Sequence, residues 1–278
     1  MSIQELLEIG INKLKEHNIE TPIVMARRLM RFFLNQDHIY LILHAEEQVP
    51  EDKEKAYLEA IDKITNNIPI QYIIKKQEFM KMEFYVDENV LIPRADTEIV
   101  VQEAINIIND NKFQNILDIC TGSGAIAISI AKYTSASKIT AVDISKKSLA
   151  IAKKNATQNQ VIDKLQFINS NMFKNINEQY DLIISNPPYI RKDDINNLDE
   201  NVKKEPIIAL DGGDDGLSFY RIIEKEAYNY LKENGYLVLE IGYDQKEDVI
   251  NILSEKYTDI ICKKDLAGND RVIICRRR

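Results

Sequence analysis

The chain has 278 residues, of which 45% are apolar, so it is long enough to bury one large hydrophobic core or two of ordinary size. Its formal net charge of −8 argues against a broad basic surface that would bind nucleic acid without specificity. The early glutamates, and the lack of a run of apolar residues long enough for a membrane span, predict a cytoplasmic protein with no secretory signal and no membrane partner.

The cysteines and histidines argue against metal chemistry. The three cysteines are odd in number and include no Cys-x-x-Cys pair, so the sequence predicts neither a disulfide framework nor a zinc site. All three histidines precede residue 50, so the rest of the chain has no imidazole to act as a general base or a metal ligand. We therefore expect chemistry that needs no metal.

Helical spacing of apolar residues runs from residue 1 to about residue 67 and predicts a small all-helical domain. Residues 68–92 include the segments IPIQYII and MEFYVDENVLIP, which are rich in β-branched and aromatic residues. They predict a short hairpin or an extended linker with a turn at 87–89. From residue 93 to residue 278, helical and extended segments alternate, which predicts a doubly wound α/β domain with a mostly parallel sheet.

The predicted elements of this last region follow one another closely. Helices are predicted at 96–110, 125–133, 146–157, 216–233 and 245–256. Strands are predicted at 115–119, 138–143, 165–168, 181–185, 235–240, 258–263 and 271–276. The last two strands are expected to form an antiparallel hairpin at the end of the sheet.

The stretch NILDICTGSGAIAISIA at 115–131 predicts a ligand-binding turn between a strand and a helix. Gly122 and Gly124 let a ligand approach the backbone, and the start of the helix offers free N–H groups. With Asp143 at the end of the next strand, the pattern fits NAD and S-adenosylmethionine equally, because that carboxylate can accept from the ribose hydroxyls of either. Asp118 favours S-adenosylmethionine, since a negative charge suits a sulfonium better than a pyrophosphate.

The stretch IISNPPYI at 183–190 ends an apolar strand with a rigid corner, because neither proline can donate to a sheet ladder. We expect this strand to neighbour the one before the glycine turn, which would bring Asn186 to the transferred methyl group. The Asn186 side-chain oxygen and the Pro187 carbonyl would accept both hydrogens of a planar amino group, and Tyr189 would stack on it. The corner is therefore predicted to be a clamp for a planar amine.

Together the motifs resemble the peptide chain release factor glutamine methyltransferases. Besides the glycine turn and NPPY, the resemblance is carried by PIQY (69–72), VLIPRADTE (90–98), EPIIALDGGDDGL (205–217), LEIG (239–242) and LAGNDRV (266–272). It implies a Rossmann-like class I methyltransferase domain and an N-terminal helical domain that helps to hold the protein substrate. It implies methylation of the glutamine side-chain amide in the Gly-Gly-Gln motif of release factors, the proteins of translation termination. S-adenosyl-L-methionine would be the donor and S-adenosyl-L-homocysteine the product.

The same resemblance assigns the site residues. Those that would bind the donor are Asp118, Cys120, Thr121, Gly122, Ser123, Gly124, Asp143, Asn171, Met172 and Asn186, with Phe173 beside them. Those that would bind the substrate glutamine are Asn186, Pro187, Pro188 and Tyr189, with Asn186, Pro187 and Tyr189 in catalytic roles. The chain departs from the usual residues of the family at Lys75, Ala95, Cys120 and Asn171-Met172.

Other functions stay compatible with parts of the pattern. Asn-Pro-Pro-Tyr also occurs in methyltransferases that act on adenine or cytosine of nucleic acids, although the acidic charge and the missing target-recognition domain weigh against that alternative. A nicotinamide-dependent oxidoreductase, or an adenosine-binding module without catalysis, would use the glycine turn but gives the clamp no role. The favoured organisation is a substrate-docking domain at 1–67, a hairpin or linker at 68–92 and a methyltransferase domain at 93–278, with no direct nucleic-acid partner.

Overall fold

The computed structural model describes the chain from Met1 to Arg278. The chain divides into two compact units. The first comprises Met1–Lys75 and Asp199–Lys204, and the second comprises Lys76–Leu198 and Glu205–Arg278. None of the helices combines the length and the apolar composition that a membrane span requires.

The first unit is helical. Its helices are α1 (Ile3–Glu16), α2 (Pro22–Leu34), α3 (His38–Leu43), α4 (Glu51–Thr65) and α5 (Ile70–Ile74). A capping box starts α1, because the Ser2 hydroxyl accepts the Glu5 N–H while the Glu5 carboxylate accepts the Ser2 N–H. Apolar residues that recur at helical spacing form the core of this unit, among them Leu6, Leu14, Leu29, Met30, Tyr57 and Ile61. The predicted helical character of the N-terminal region is therefore confirmed.

The segment IPIQYII was predicted to be extended, and this is wrong. Ile70–Ile74 forms α5, with Ile70, Tyr72 and Ile74 buried. Isoleucine loses only a few tenths of a kcal/mol in a helix relative to the best helix formers, whereas burial of each side chain contributes about 1.5–3 kcal/mol. Packing therefore overrides local propensity here.

A short hairpin follows, formed by β1 (Gln77–Phe79) and β2 (Met82–Phe84). Its turn residues are Met80 and Lys81, both with left-handed backbone at φ 49° and 57°, as a two-residue hairpin turn requires. The expected turn at 87–89 is a separate one, in which the Asp87 carboxylate accepts the Asn89 N–H. The hairpin turn was missed because neither Met nor Lys is a typical left-handed residue.

The second unit alternates helices and strands. Its helices are α6 (Ala95–Asn111), α7 (Ala125–Tyr133), α8 (Lys146–Gln158), α9 (Ser218–Tyr230) and α10 (Lys246–Leu253). Its strands are β3 (Asn115–Ile119), β4 (Lys138–Asp143), β5 (Leu165–Asn169), β6 (Tyr180–Ser185), β7 (Leu231–Glu240), β8 (Tyr257–Lys264) and β9 (Asp270–Arg277). The predicted helix 216–233 is too long, because Leu231 already pairs with Tyr180 of β6.

The seven strands form one sheet in the order β5-β4-β3-β6-β7-β9-β8. Neighbouring strands are parallel from β5 to β7, whereas β9 is antiparallel to both β7 and β8. The predicted doubly wound fold with a C-terminal antiparallel hairpin is confirmed. Ile119 lies opposite Ser185, so the expected pairing of β3 with β6 is confirmed as well.

The sheet is covered on both faces. Successive residues of one strand belong to different cores: Ile184 packs with α6 and α7 residues, whereas Ile183 packs with α9 and α10 residues. Strands buried on both faces are mostly apolar, which explains the continuous run LII in β6. This leaves the carboxyl edge of the sheet, where β3 and β6 meet at the switch in strand order, as the place for a ligand.

Candidate active site

A cavity of about 360 Å³ lies at the carboxyl edge of the sheet. The volume is within the range of small-molecule sites. Most of its lining is apolar and comes from Val90, Leu91, Ile119, Val142, Ile144, Met172, Pro188, Pro206, Ile208, Ala209, Phe219 and Ile222. The remaining lining residues are Asn89, Cys120, Gly122, Asp143, Ser148, Ser170, Asn171 and Asn186.

The structure brings part of the predicted site to this cavity. The predicted residues that line it are Cys120, Gly122, Asp143, Asn171, Met172, Asn186 and Pro188. Those that do not are Asp118, Thr121, Ser123, Gly124, Phe173, Pro187 and Tyr189. Apart from Asp118, which lies inside β3, the second group lies in the same turns as the first. The individual binding roles stay predictions.

The glycine turn joins β3 to α7 and is held by Asp143 from the next strand. The Asp143 carboxylate accepts the Gly122 N–H at 2.9 Å and the Ser145 N–H at 2.8 Å. Burial raises the pKa of Asp143, and the N–H groups of Ser145 and Gly122 oppose that rise. Gly122 has φ +55°, and a Cβ added there would meet no atom within 4 Å. Asp143 and Gly122 therefore place a carboxylate beside open space.

Asp118 lies beneath the turn. It is fully buried inside β3, and one of its oxygens accepts the Thr121 hydroxyl at 2.6 Å while the other has no partner. Burial raises its pKa to about 7, and the Thr121 hydroxyl lowers it in part. Asp118 thus supports the turn from below.

Cys120 and Met172 are the departures from the family pattern that contact each other. The Cys120 Sγ lies 3.9 Å from the Met172 Sδ, and both residues have left-handed backbone, at φ 62° and 49°. Left-handed backbone costs a residue with a side chain roughly 1–2 kcal/mol, which a glycine would avoid. Burial raises the pKa of the Cys120 thiol, so this group packs as a neutral side chain.

Asn186, which was predicted to belong to the clamp, follows β6 and contacts α6. Its side-chain nitrogen donates a hydrogen bond to the Thr97 hydroxyl at 3.2 Å, and Thr97 is buried. This contact uses one hydrogen of the amide nitrogen and directs the amide oxygen away from Thr97. Thr97 belongs to the VLIPRADTE motif of the resemblance but had no predicted role.

Both the side chain and the backbone of Tyr189 form hydrogen bonds. Its hydroxyl donates to the Glu240 carboxylate at 3.2 Å, and its carbonyl accepts from the Gln245 side chain at 3.0 Å. The same Gln245 nitrogen also donates to the Gly216 carbonyl, which joins the NPPY corner to the DGGDDG segment. Glu240 belongs to the LEIG motif of the resemblance but had no predicted role, and Gln245 was not singled out; the charged residue that ends the apolar run YLVLE was a signal.

Glu205 fixes another wall of the cavity. Its buried carboxylate accepts the Ile92 N–H at 2.9 Å and forms an ion pair with Arg94. Burial raises the pKa of Glu205, and the charge of Arg94 lowers it in part. Glu205 is followed by Pro206, which lines the cavity, so this bond connects two segments of the wall.

Comparisons with known proteins agree with this geometry. The family described as methyltransferase small domain matches residues 96–209, and the family described as PrmC N-terminal domain matches residues 5–74. The release factor glutamine methyltransferase of Clostridium acetobutylicum is 39% identical, over 100% of this chain and 99% of its own length. That of Clostridium botulinum is 37% identical over the full length of both. The chain belongs to the release factor glutamine methyltransferase family.

Solved structures show the fold of this family member independently. The ribosomal protein L11 methylase from Lactobacillus delbrueckii subsp. bulgaricus superposes with a TM-score of 0.53, at 18% identity over 73% of this chain and 90% of that one. A methyltransferase from Pyrococcus furiosus gives 0.54, at 17% identity over 82% of this chain and 98% of that one. At such identities the likeness shows the Rossmann-like methyltransferase fold alone.

Proposed function

We propose that this protein methylates the side-chain amide nitrogen of the glutamine in the Gly-Gly-Gln motif of a peptide chain release factor, with S-adenosylmethionine as donor. The observation that carries the proposal is the position of Asn186. Its side chain lines the cavity one strand away from the glycine turn, and its amide nitrogen is already bonded to Thr97. The printed names of the full-length relatives support the same substrate.

The residues of the cavity fit this donor. The Asp143 carboxylate borders the cavity and can accept hydrogen bonds from ribose hydroxyls, while the open space at Gly122 admits a ligand close to the backbone. Asn171 and Met172 would hold the adenine side, one as a hydrogen-bonding amide and the other as an apolar contact. When bound, the donor supplies a methyl group on a positively charged sulfur.

The clamp would compensate for the low nucleophilicity of the substrate amide. An amide nitrogen is a poor nucleophile because its lone pair is delocalised into the carbonyl. Asn186 Oδ1 and the Pro187 carbonyl would accept the two amide hydrogens, which fixes the orientation of the nitrogen and polarises its bonds. Positioning of this kind can lower a reaction barrier by several kcal/mol.

We further propose that the helical unit docks the release factor and that the chain is organised as 1–67, 68–92 and 93–278. Exposed apolar side chains cluster on α2 and α3: Val24 (63%), Ile39 (64%), Ile42 (60%) and Leu43 (74%). Arg27, Arg28, Arg31 and His38 line a hollow that also includes Val24. Exposed apolar groups with a charged rim are typical of protein interaction sites.

The experiment is methyl transfer from a labelled donor. The full-length protein is incubated with S-adenosylmethionine carrying an isotopic methyl group and either a Gly-Gly-Gln release factor, duplex DNA or transfer RNA. We expect label in the release factor alone, and none when the motif glutamine of the release factor is replaced. Label in adenine or cytosine with an unlabelled release factor would contradict the proposal and support the nucleic-acid alternative.

A further inference from the structure

We propose that Gln245 is a positioning residue for methyl transfer, because its buried side-chain amide fixes the NPPY corner, Asn186 to Tyr189, that would hold the substrate amide. The inference rests on the proposed function, since it concerns how the proposed clamp keeps its shape. Gln245 is 2% exposed and does not line the cavity, so it acts through the corner and not by touching a ligand.

The Gln245 amide binds three backbone segments. Its nitrogen donates to the Tyr189 carbonyl at 3.0 Å and to the Gly216 carbonyl at 3.2 Å, and its oxygen accepts the Gly242 N–H at 3.0 Å. A primary amide has two hydrogens to donate, so both are used. Gln245 is also the residue before α10, but its side chain does not cap that helix. The side chain therefore connects distant segments.

The DGGDDG segment (211–216) packs so closely on Tyr189 that side chains at two of its positions would clash. Gly216 has φ +74°, and a Cβ added there would lie 2.5 Å from the Tyr189 carbonyl oxygen and 2.7 Å from the Gln245 side-chain nitrogen. A Cβ added at Gly212 would lie 2.7 Å from the Tyr189 Cα. The two glycines therefore let this segment reach the same carbonyl that Gln245 binds.

Backbone hydrogen bonds continue this contact beyond Tyr189. The Ile190 N–H donates to the Leu210 carbonyl at 3.0 Å, and the Gly212 N–H donates to the Ile190 carbonyl at 2.8 Å. Gln245 thus binds the corner directly before the point where it pairs with the neighbouring segment.

The corner between β6 and this pairing is stiff. Pro187 and Pro188 are buried, and their rings fix the φ angles. The corner starts from Ser185, which pairs with β3, and ends at the Tyr189 carbonyl. A displacement at the Tyr189 end is therefore carried to the Pro187 carbonyl and to Asn186, the two proposed acceptors of the substrate amide hydrogens.

A second buried amide provides a matched control. Asn155 of α8 is fully buried, its side-chain nitrogen donates to the Tyr85 and Ser123 carbonyls at 3.0 and 2.9 Å, and its oxygen accepts the Tyr85 N–H at 2.7 Å. Ser123 belongs to the glycine turn and not to the corner. Loss of either amide leaves two carbonyls and one N–H without their partner, but at different walls of the cavity.

The test compares full-length Gln245→Met and Asn155→Leu with the wild type, on a Gly-Gly-Gln release factor. Gln245→Met keeps the length of the side chain but cannot donate. It should lower kcat at least about tenfold and leave the KM for the release factor and the affinity for S-adenosylhomocysteine within about threefold, because a misplaced clamp slows chemistry more than it weakens binding. Asn155→Leu should instead lower the affinity for S-adenosylhomocysteine at least about fivefold, with kcat at saturating donor within about threefold.

A further variant separates lost hydrogen bonds from altered packing. Gln245→Glu has nearly the same shape and keeps an acceptor for the Gly242 N–H, but it offers at most one hydrogen to the two carbonyls. Its kcat should fall at least about fivefold. Because both substitutions at position 245 are measured in the same way, the result does not depend on the folding of a single variant.

Hydrogen–deuterium exchange followed by mass spectrometry gives a readout that is independent of activity. Peptides that cover 186–192 and 210–217 should exchange faster in Gln245→Met than in the wild type, because the N–H groups of Ile190 and Gly212 become less protected. In Asn155→Leu the same peptides should exchange as in the wild type, whereas peptides that cover 120–128 should exchange faster.

The possible outcomes separate this inference from the proposed function. Wild-type kcat in Gln245→Met, or a loss of S-adenosylhomocysteine affinity as large as that of Asn155→Leu, with the release factor methylated by the wild type, would overturn the inference and leave the proposed function intact. If the wild type does not methylate a release factor, the proposed function fails, and exchange at 186–192 decides whether Gln245 fixes the corner. Equal exchange there in the wild type and Gln245→Met would then overturn the inference.

Discussion

At the scale of single residues, the proposed clamp depends on the side-chain amide of Asn186. Asn186 lines the cavity and its side-chain nitrogen is bonded to Thr97, and in the proposed clamp its oxygen would meet the substrate amide. Pro187 and Pro188 after it are buried and cannot donate to a sheet. The orientation of Asn186 is thereby fixed from both its side chain and its backbone.

Asn186→Ala should reduce kcat for the release factor by about a hundredfold or more, because loss of one positioned polar group of this kind costs roughly 2.7–4 kcal/mol. The affinity for S-adenosylmethionine should change far less, and calorimetry provides that control. Asn186→Asp keeps an acceptor but loses the donor to Thr97, so it should also be slow. A variant with an alanine at this position and near wild-type kcat would contradict the clamp.

At the scale of elements, the cavity wall depends on a bond between two segments that are far apart in sequence. Glu205 accepts the Ile92 N–H and pairs with Arg94 at the start of α6. The Glu205 side chain is buried, whereas that of Arg94 is 40% exposed, so solvent screens much of the ion pair. The hydrogen bond from the Ile92 N–H is buried and is not screened in this way.

Glu205→Ala should lower the free energy of unfolding by about 1–3 kcal/mol, because the buried Ile92 N–H would lose its acceptor. Affinity for S-adenosylmethionine should fall as well, since Pro206 and Ile208 line the cavity. Denaturant unfolding and calorimetry measure the two effects. Glu205→Gln retains an acceptor and should cost less; equal losses in the two variants would show that the charge and not the hydrogen bond matters.

The α2 helix provides a second prediction at this scale. Replacing both Arg27 and Arg31 by alanine should raise the KM for the release factor several-fold and leave kcat nearly unchanged, because docking precedes chemistry. Steady-state kinetics at two salt concentrations measures this effect. The control is Lys55→Ala with Lys63→Ala, which removes the same charge from α4, where both lysines are exposed. Equal KM values for the two double variants would argue against docking on α2.

At the scale of the whole molecule, buried carboxyls link stability to pH. Burial raises the pKa of both Asp118 and Glu240 to about 7, from ordinary values near 4. Between about pH 4 and pH 7 the unfolded chain releases protons that the folded chain retains, so these groups make stability fall as the pH rises. Below about pH 4 both states are protonated and the contribution vanishes.

The double variant Asp118→Asn with Glu240→Gln lacks both carboxyls, so its free energy of unfolding should increase relative to that of the wild type as the pH rises from about 4 to 7. Each unit by which a pKa differs between the folded and unfolded states corresponds to about 1.4 kcal/mol. Free energies of unfolding at several pH values measure the difference. Parallel curves for the two proteins would show that neither carboxyl has a raised pKa in the folded state.

Much of the fold follows from the sequence because its signals are local. Strands buried on both faces are apolar runs in the sequence, and glycine and proline mark turns, so β3, β6, the glycine turn and the corner after β6 were predicted. The helix at 70–74 was missed because tertiary packing overrode local propensity there. Thr97, Glu240 and Gln245 were missed because their role arises only where three distant segments meet.

The proposed function depends on which atom receives the methyl group. Tandem mass spectrometry of a Gly-Gly-Gln release factor, after incubation with the full-length protein and S-adenosylmethionine, locates that atom. We predict one added methyl group on the side-chain nitrogen of the motif glutamine, absent with Asn186→Ala. A methyl group on any other residue, or an unmodified release factor beside methylated nucleic acid, would contradict the account.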